Sequence, residues 1–458
     1  MRRTWVIVAA CFGVVVVVCA IGGWFVWSRT DIAQAAAQLD QAIADAKAAG
    51  LPWTAADMAP KPPVKDSDNA APLLGRCKEL IEREPVVIQG LKDLEKPQTY
   101  NDVQGMRAAI TELKPLLSVA RAAADKPRCD FHRDWDEGPW LTFPEEVSAK
   151  HIARLLSAEA VCEAADGDES GALKDLDRVF AMGRHVGSDP ILIGMLVDLA
   201  CDAIVARAAE RVAEQWHSEP ERLERLRAML VRCGEPDIRY ALKGESYMGV
   251  ALLRNVHSLR QFNAIAKGGS GDPGDNESNY EAMKPKAFVR SGAPDTFFGR
   301  VMLCRNLQVW TRFKHESGQT TDPMKVSKIL GDLSEQESHM GWSHLANQIL
   351  LPVFSQAGSA VVRERATRVC TAGLAAVLAY KARHGRYPKT LAEAGVTDLD
   401  PFDGKPLKLR IDGDGCRVYS VGPDGMDDGG VRREDLKNAS DKGWDVVASY
   451  PAYVPRAR

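Results

Sequence analysis

The chain has 458 residues, is 45% hydrophobic and 26% charged, and carries a formal net charge of −3. That length exceeds what one core usually holds and suggests two or more domains, while the composition excludes a globally disordered chain. The near-neutral charge supplies no basic face or stripe, so no nucleic-acid partner is expected.

The N-terminus opens with Met1-Arg2-Arg3, followed by an uncharged run from Thr4 to Trp27. Its 24 residues rise ~36 Å as a helix, enough to cross a bilayer with some tilt. Trp5, Trp24 and Trp27 stand near the two ends, where aromatic anchors sit at the interfaces. Arg2 and Arg3 favour an N-terminus in the cytoplasm, with the bulk of the chain on the extracytoplasmic side. The run is longer than the apolar core of a cleaved signal peptide, so residues 1–30 read as a signal-anchor whose partner is the lipid bilayer, through residues 4–27.

Asp31 to Gly50 is alanine-rich, with Ile32, Ala36, Leu39, Ile43 and Ala46 at helical spacing, and predicts a stalk helix rising from the membrane. Pro60, Pro62, Pro63 and Pro72 make the stretch from Asp57 to Pro72 a linker, closing a segment 31–72. Residues 73–359 then predict an irregular α-helical body. Helices are expected over Leu73–Leu94, Val103–Ala123, His151–Ala165, Ala172–His185, Pro190–Gln215, Glu221–Val231, Ala241–Phe262, Phe297–Phe313, Pro323–Leu333 and His344–Phe354. Cys129, Phe131, Trp135, Trp140 and Phe143 between the second and third of these read as a loop plugging onto helices beneath. The pair broken at Asp166-Gly167-Asp168 resembles one tetratricopeptide-type hairpin, without a second copy at a fixed period. The stretch 267–294, with Gly268, Gly269, Gly271 and Gly274, has no apolar period and predicts a mobile surface loop.

Ten cysteines are present. Cys11 and Cys19 fall in the apolar run. Cys77, Cys129, Cys162, Cys201, Cys233, Cys304, Cys370 and Cys416 are too far apart for the ligand pairs of a structural zinc. Most lie on apolar helical stripes, where Cys behaves as a small hydrophobe, although their even number permits disulfides. The spacings of a nucleophile elbow, a zinc-protease helix, a phosphate loop or a dinucleotide fingerprint do not occur. Glu163, Asp166, Asp168 and Glu169 form an acidic turn, a weak motif for acid–base chemistry.

The C-terminal segment 360–458 reads as a small α+β head. A helix from Val361 to Arg383 stops at Gly385, and a short second helix begins at Tyr387-Pro388 and ends at Gly395. Leu407, Leu409 and Ile411 alternate with Lys408 and Arg410; Asp412-Gly413-Asp414-Gly415 turns the chain into a second strand, Cys416 to Val421; Trp444 to Tyr450 adds a third. The fold class is therefore mainly α: an N-terminal transmembrane helix, an irregular helical body, and a small head with antiparallel strands. After the second strand Asp424, Asp427, Asp428 and Asp435 offer hard oxygen ligands, and Gly422, Gly425, Gly429 and Gly430 let carbonyls turn inward, a composition suited to calcium. Met426 at the third position, after a strand, sets the loop apart from an EF-hand.

Gly385, Tyr387, Pro388 and Leu391, then Asp400-Pro401-Phe402 with Gly404 and Pro406, then Tyr419-Ser420 with Gly422, Asp424 and Gly425, resemble the globular head of type II secretion major pseudopilins. That resemblance implies a calcium-binding loop after the last strand. In that family the head follows the leader helix directly, whereas here residues 30–359 intervene and the prepilin leader motif is missing, so only the local fold and the ion site carry over. The whole layout, with Asn69-Ala70-Ala71-Pro72-Leu73 ahead of the body, is similar to planctomycete-type single-pass membrane proteins, a likeness that implies no particular activity. The expected function is a membrane-anchored scaffold or binding module of the cell envelope, with protein partners that the sequence does not name. The alternatives are an envelope hydrolase with its site in the helical body and a secretion-system component.

Overall fold

The computed structural model describes residues 33–94, 96, 102–256, 258, 260–263, 293–436 and 443–453. The apolar span 4–27 and nearly all of the glycine-rich stretch 267–294 lie outside the described residues. Within them the chain is mainly helical, with a three-stranded antiparallel sheet near the C-terminus. The helices are α1 (Leu39–Ala48), α2 (Ala71–Arg83), α3 (Pro85–Leu94), α4 (Val103–Ala124), α5 (Glu145–Ala165), α6 (Glu169–Val186), α7 (Leu192–Gln215), α8 (Pro220–Arg232), α9 (Ile238–Asn255), α10 (Phe297–Ser317), α11 (Pro323–Ser338), α12 (Leu345–Phe354) and α13 (Ala357–His384). Several of their starts are set by short polar side chains that satisfy free backbone N–H groups. Asp102 accepts from Gln104 and Gly105, Asp168 from Gly171, Asp237 from Arg239, and Asp322 from Met324.

The largest core joins α2 through α8 with α13 and the sheet. Leu116, Leu155, Leu156, Leu176, Trp216 and Leu374 are all essentially inaccessible in one continuous apolar cluster that also holds Val418 and Ala448. A second core lies between α1, α9 and α10, and a third between α7, α9, α10, α11, α12 and α13.

Several sequence expectations are refined by this packing. The stalk expected over 31–50 lies along the body instead: Ala35, Ala36, Leu39, Ala42 and Ala46 are buried against α10. Alanine leaves two backbones free to approach, so the alanine stripe is an inward face. The proline-rich stretch 57–72 is an ordered strap with Met58, Val64 and Ala70 buried, and Asn69 tied to Asp130 by reciprocal bonds of 2.9 Å. The aromatic loop is a plug as expected, with Trp135 and Trp140 buried and the former packed with Tyr247 and Ala251 of α9. Helix α7 starts at Leu192 rather than Pro190, because the Pro190 carbonyl accepts a 2.6 Å bond from Gly244 of α9. A Cβ at Gly244 would stand 2.2 Å from that oxygen, so only glycine permits the approach.

The eight described cysteines are free thiols, seven of them buried, which fits the reading as small hydrophobes. Burial pushes the thiols of Cys77 and Cys416 up to about 12.

In the C-terminal region β1 (Lys408–Asp412) and β2 (Gly415–Ser420) form the predicted hairpin, and β3 (Val446–Tyr450) joins β2 antiparallel, giving the order β1-β2-β3. The left-handed residue that ends α13 is Gly385, φ 68°, as the sequence indicates. The boundary drawn at 359/360 does not separate two cores. Helix α13 packs on α7, α8 and α11 on the body side and on β2 and β3 on the other. Polar ties reinforce the joint: buried Glu210 of α7 accepts from Arg432 at 3.0 Å and from the Ser449 amide at 3.3 Å, and Arg227 of α8 donates to the Gly395 carbonyl at 2.8 Å. The helical run Trp342–His384 is, by length and composition, apolar enough to cross a membrane. In this fold its α13 portion is the shared core helix, buried along Val361–Ala379.

Candidate functional site: the acidic loop beside the sheet

The loop after β2 is built from three turns. Asp424 accepts from the Met426 amide at 3.1 Å, and Asp427 accepts from the Gly429 amide at 3.0 Å and the Tyr419 hydroxyl at 3.1 Å. Gly422, Gly425, Gly429 and Gly430 all have positive φ, the left-handed region that non-glycine residues seldom enter. At Gly422 a Cβ would also meet the Trp444 carbonyl at 2.5 Å. The loop carbonyls of Gly429 and Gly430 are claimed by Arg410 at 2.9 Å and Arg417 at 3.0 Å from the neighbouring strands.

Burial raises the Asp428 carboxyl above its ordinary range, and the nearby charges of Asp424 and Asp427 add to the rise. Asp428 Oδ2 is buried and accepts no hydrogen bond from the protein. Lys408 Nζ lies 3.6 Å from Asp427 Oδ2. Asp435 sits apart, exposed in the 3₁₀ turn Arg433–Asp435. Asp445, a residue the sequence offered only as part of a strand, occupies the inner side of the loop. It is 2% exposed and accepts from the Gly430 amide at 2.7 Å and the Asp428 amide at 3.4 Å. Burial, and then the charges of Asp428 and Asp427, raise its carboxyl as well. Among the described residues, no three His, Cys, Asp or Glu side chains converge as a ready metal-holding group. The oxygens least engaged are Asp428 Oδ2 and the outer oxygen of Asp424, which are the ones a hard cation would use first, while that of Asp427 faces Lys408.

The other motif residues of this region hold the loop in place. Asp400 of the Asp-Pro-Phe segment is buried; its Oδ1 accepts from Ser420 Oγ and its Oδ2 from the Val421 amide, both at 2.8 Å, so it fixes the end of β2 where the loop begins. Glu393 collects Arg386, Tyr380 Oη and the Lys389 amide, and these donors bring its carboxyl down to about 2.

In the body the acidic turn is consumed by arginines and a cap. Glu163 accepts from Arg121 at 2.8 Å, Asp166 pairs with Arg107, Asp168 caps α6, and Glu169 pairs with Arg225. Burial and the adjacent Asp175 push the Glu163 carboxyl up to about 8. A second seam runs from α6 to α13: Arg184 pairs with Asp198 and Asp202 of α7, and Arg368 with Glu364 at 3.1 Å. Asp198 and Asp202 lie on a different helix from Arg184, so no spacing signals that pairing, whereas Glu364 and Arg368 stand one helical turn apart. The surface clefts among the described residues include two sizeable ones. One of ≈ 720 Å³ lies between α1 and α10, against Ala42, Ala49, Thr311, Arg312, Lys314 and His315. The other, of ≈ 560 Å³, is bordered by Glu235, Asp322, Met324, Arg365 and Phe402. Neither includes the loop aspartates.

Compared with known protein families, curated proteins and solved structures, the chain matches none.

Proposed function

We propose that the protein is a single-pass membrane protein, N-terminus in the cytoplasm, whose extracytoplasmic helical body acts as a scaffold or binding module. The observation that carries this is the uncharged run Thr4–Trp27 behind Arg2-Arg3, with tryptophans near both ends. The body supports the scaffold part: its buried carboxylates are tied to arginines across helix interfaces, as in Arg121 with Glu163 and Asp175 and Arg184 with Asp198 and Asp202. Such ties fix helices against one another. In spheroplasts a tag after Arg458 is expected to be protease-accessible, and crosslinking capture is expected to return a defined protein partner. A protected tag refutes the topology, and steady turnover by the purified chain across a hydrolase panel replaces the scaffold with an envelope hydrolase. The secretion-component alternative requires N-terminal processing, so a native protein mass beginning at Met1 removes it.

The second reading is that the Asp424–Asp428 turn binds calcium, favoured by the buried, unpartnered Asp428 Oδ2 and by the crowding of like charges around it. Here the head's resemblance to pseudopilins points the same way. Millimolar Ca²⁺ is expected to raise the melting temperature of the full chain by ligand linkage, and Asp428→Ala to abolish the shift. An equal shift in Asp428→Ala counts against a specific site. Asp435→Ala is expected to leave the shift intact, because Asp435 lies outside the turn.

A further inference from the structure

We infer that one end of the helical body, presenting Phe297, Met340 and Trp342, seats in the interfacial layer of the same membrane that holds the N-terminal span. The inference rests on the anchor proposed above and adds an orientation of the body to it.

The geometry begins with α1. Arg300, in the first turn of α10, donates to the Ala36 carbonyl at 3.3 Å and lies 3.9 Å from Asp40. At their other ends, Ala42, Asp45 and Ala49 face Thr311, Lys314 and His315 across the cleft. The two helices therefore run side by side in the same direction, with their N-terminal ends together. The chain enters the described structure at that end. Six chain steps separate Trp27 from Ala33, and at ~3.3–3.6 Å each they reach at most ~22 Å. The start of α10 is thus held close to the point where the span leaves the bilayer.

One further segment returns to the same end. Helix α11 follows α10 after a short turn and packs back along it, so the residues after α11 return to the start of α10. There the ring of Trp342 stacks on Phe298, with centroids 5.3 Å apart and planes within 7°. Phe297 is 54% exposed, Met340 48% and Trp342 38%. Single exposed apolar side chains are ordinary on any surface; here a phenylalanine, a methionine and a tryptophan are exposed on segments joined by the Trp342–Phe298 stack, at the end nearest the span. Rings of this sort are favoured at the level of the lipid headgroups, where an apolar body and a polar edge are both satisfied. A second copy of the chain is the competing occupant, and the position of the patch at the anchor end favours lipid.

The test uses the full chain in vesicles of phosphatidylethanolamine and phosphatidylglycerol that contain a lipid with a photoreactive group at headgroup depth, with labelled residues read by mass spectrometry. Labelling is expected within 4–27 and at Phe297, Met340 and Trp342. It is not expected at Met324, which is 42% exposed at the start of α11, a helix length away. Phe297→Ser, at an exposed position that leaves the core intact, is expected to lower labelling at Met340 while keeping it in the span. Label in 4–27 without label on the patch overturns the inference and leaves the anchor standing. No label in either, with the chain failing to float with the vesicles, overturns the anchor. Crosslinks between copies through Phe297 or Trp342 without lipid label assign the patch to a second chain and overturn the inference.

Discussion

Arg184→Met is expected to destabilise the fold by about 3–5 kcal/mol at pH 7, the usual consequence of removing one partner from a buried ion cluster. Arg184 serves two carboxylates one helical turn apart on α7: it pairs with Asp198, lies 3.2 Å from Asp202, and donates to the Gly234 carbonyl at 2.6 Å. Asp198 and Asp202 are each 1% exposed, and Asp198 lies against Gly183 of α6, where a Cβ would meet its Oδ1 at 2.4 Å. Methionine keeps much of the volume and none of the charge, which leaves two like charges, both buried, without their counter-ion. Burial already raises both carboxyls above the ordinary range, and the guanidinium opposes that rise. The sign of the pH dependence follows. A carboxyl raised in the folded state binds its proton more readily there than in the unfolded chain, so stability falls as pH rises through the interval between the two values. Without Arg184 that interval extends further up. The deficit of the variant is therefore expected to be largest near neutrality and to shrink on acidification to about pH 5. Urea denaturation at the two pH values measures this. A loss below ~1 kcal/mol, or one equal at both pH values, would show that the cluster is not buried as described.

Leu374→Ala is expected to cost about 2–5 kcal/mol and to do so everywhere at once. Leu374 is fully buried in the middle of α13, beside Gly373, whose Cβ position stands 3.0 Å from Val418 of β2. The same helix covers α7 and α8 on its other side. The lost contacts therefore belong to one core. Hydrogen exchange should report equal losses of protection for the amides of β2 and β3 and for those of α7 and α8. Weakened protection confined to the strands would mean that the head opens as a unit of its own.

Helix positions and the hairpin were legible because they are local. Apolar spacing, aspartate caps, Gly385 after α13 and the Asp412–Gly415 turn act within a few residues of themselves. What packs against what was not. The Ala35–Ala46 stripe announces an apolar face, and a face turned to solvent on a stalk and a face pressed on α10 have the same spacing. Arg432 reaches Glu210 across 222 residues and Arg368 reaches the Cys233 carbonyl across 135, distances at which a single sequence holds no phase information. At the acidic loop Asp424, Asp427 and Asp428 are close in sequence as well as in space, whereas Asp435 follows in a separate 3₁₀ turn. The chain leaves the loop before Asp435. It returns to the loop at Asp445, whose position between Trp444 and two valines reads only as the start of a strand.

Because α13 is faced on both sides, the C-terminal segment is not a detachable cassette. A protease that nicked the chain between α12 and α13 would leave both pieces clasped, through α13 on α7 and α8 and through Glu210 and Arg432. Pulling the pieces apart would uncover one apolar wall on the body and another on the head, each an invitation to aggregate. Any rearrangement that transplanted this head onto another protein would have to carry a substitute for α7 and α8 with it, so the segment is expected to travel only together with its body.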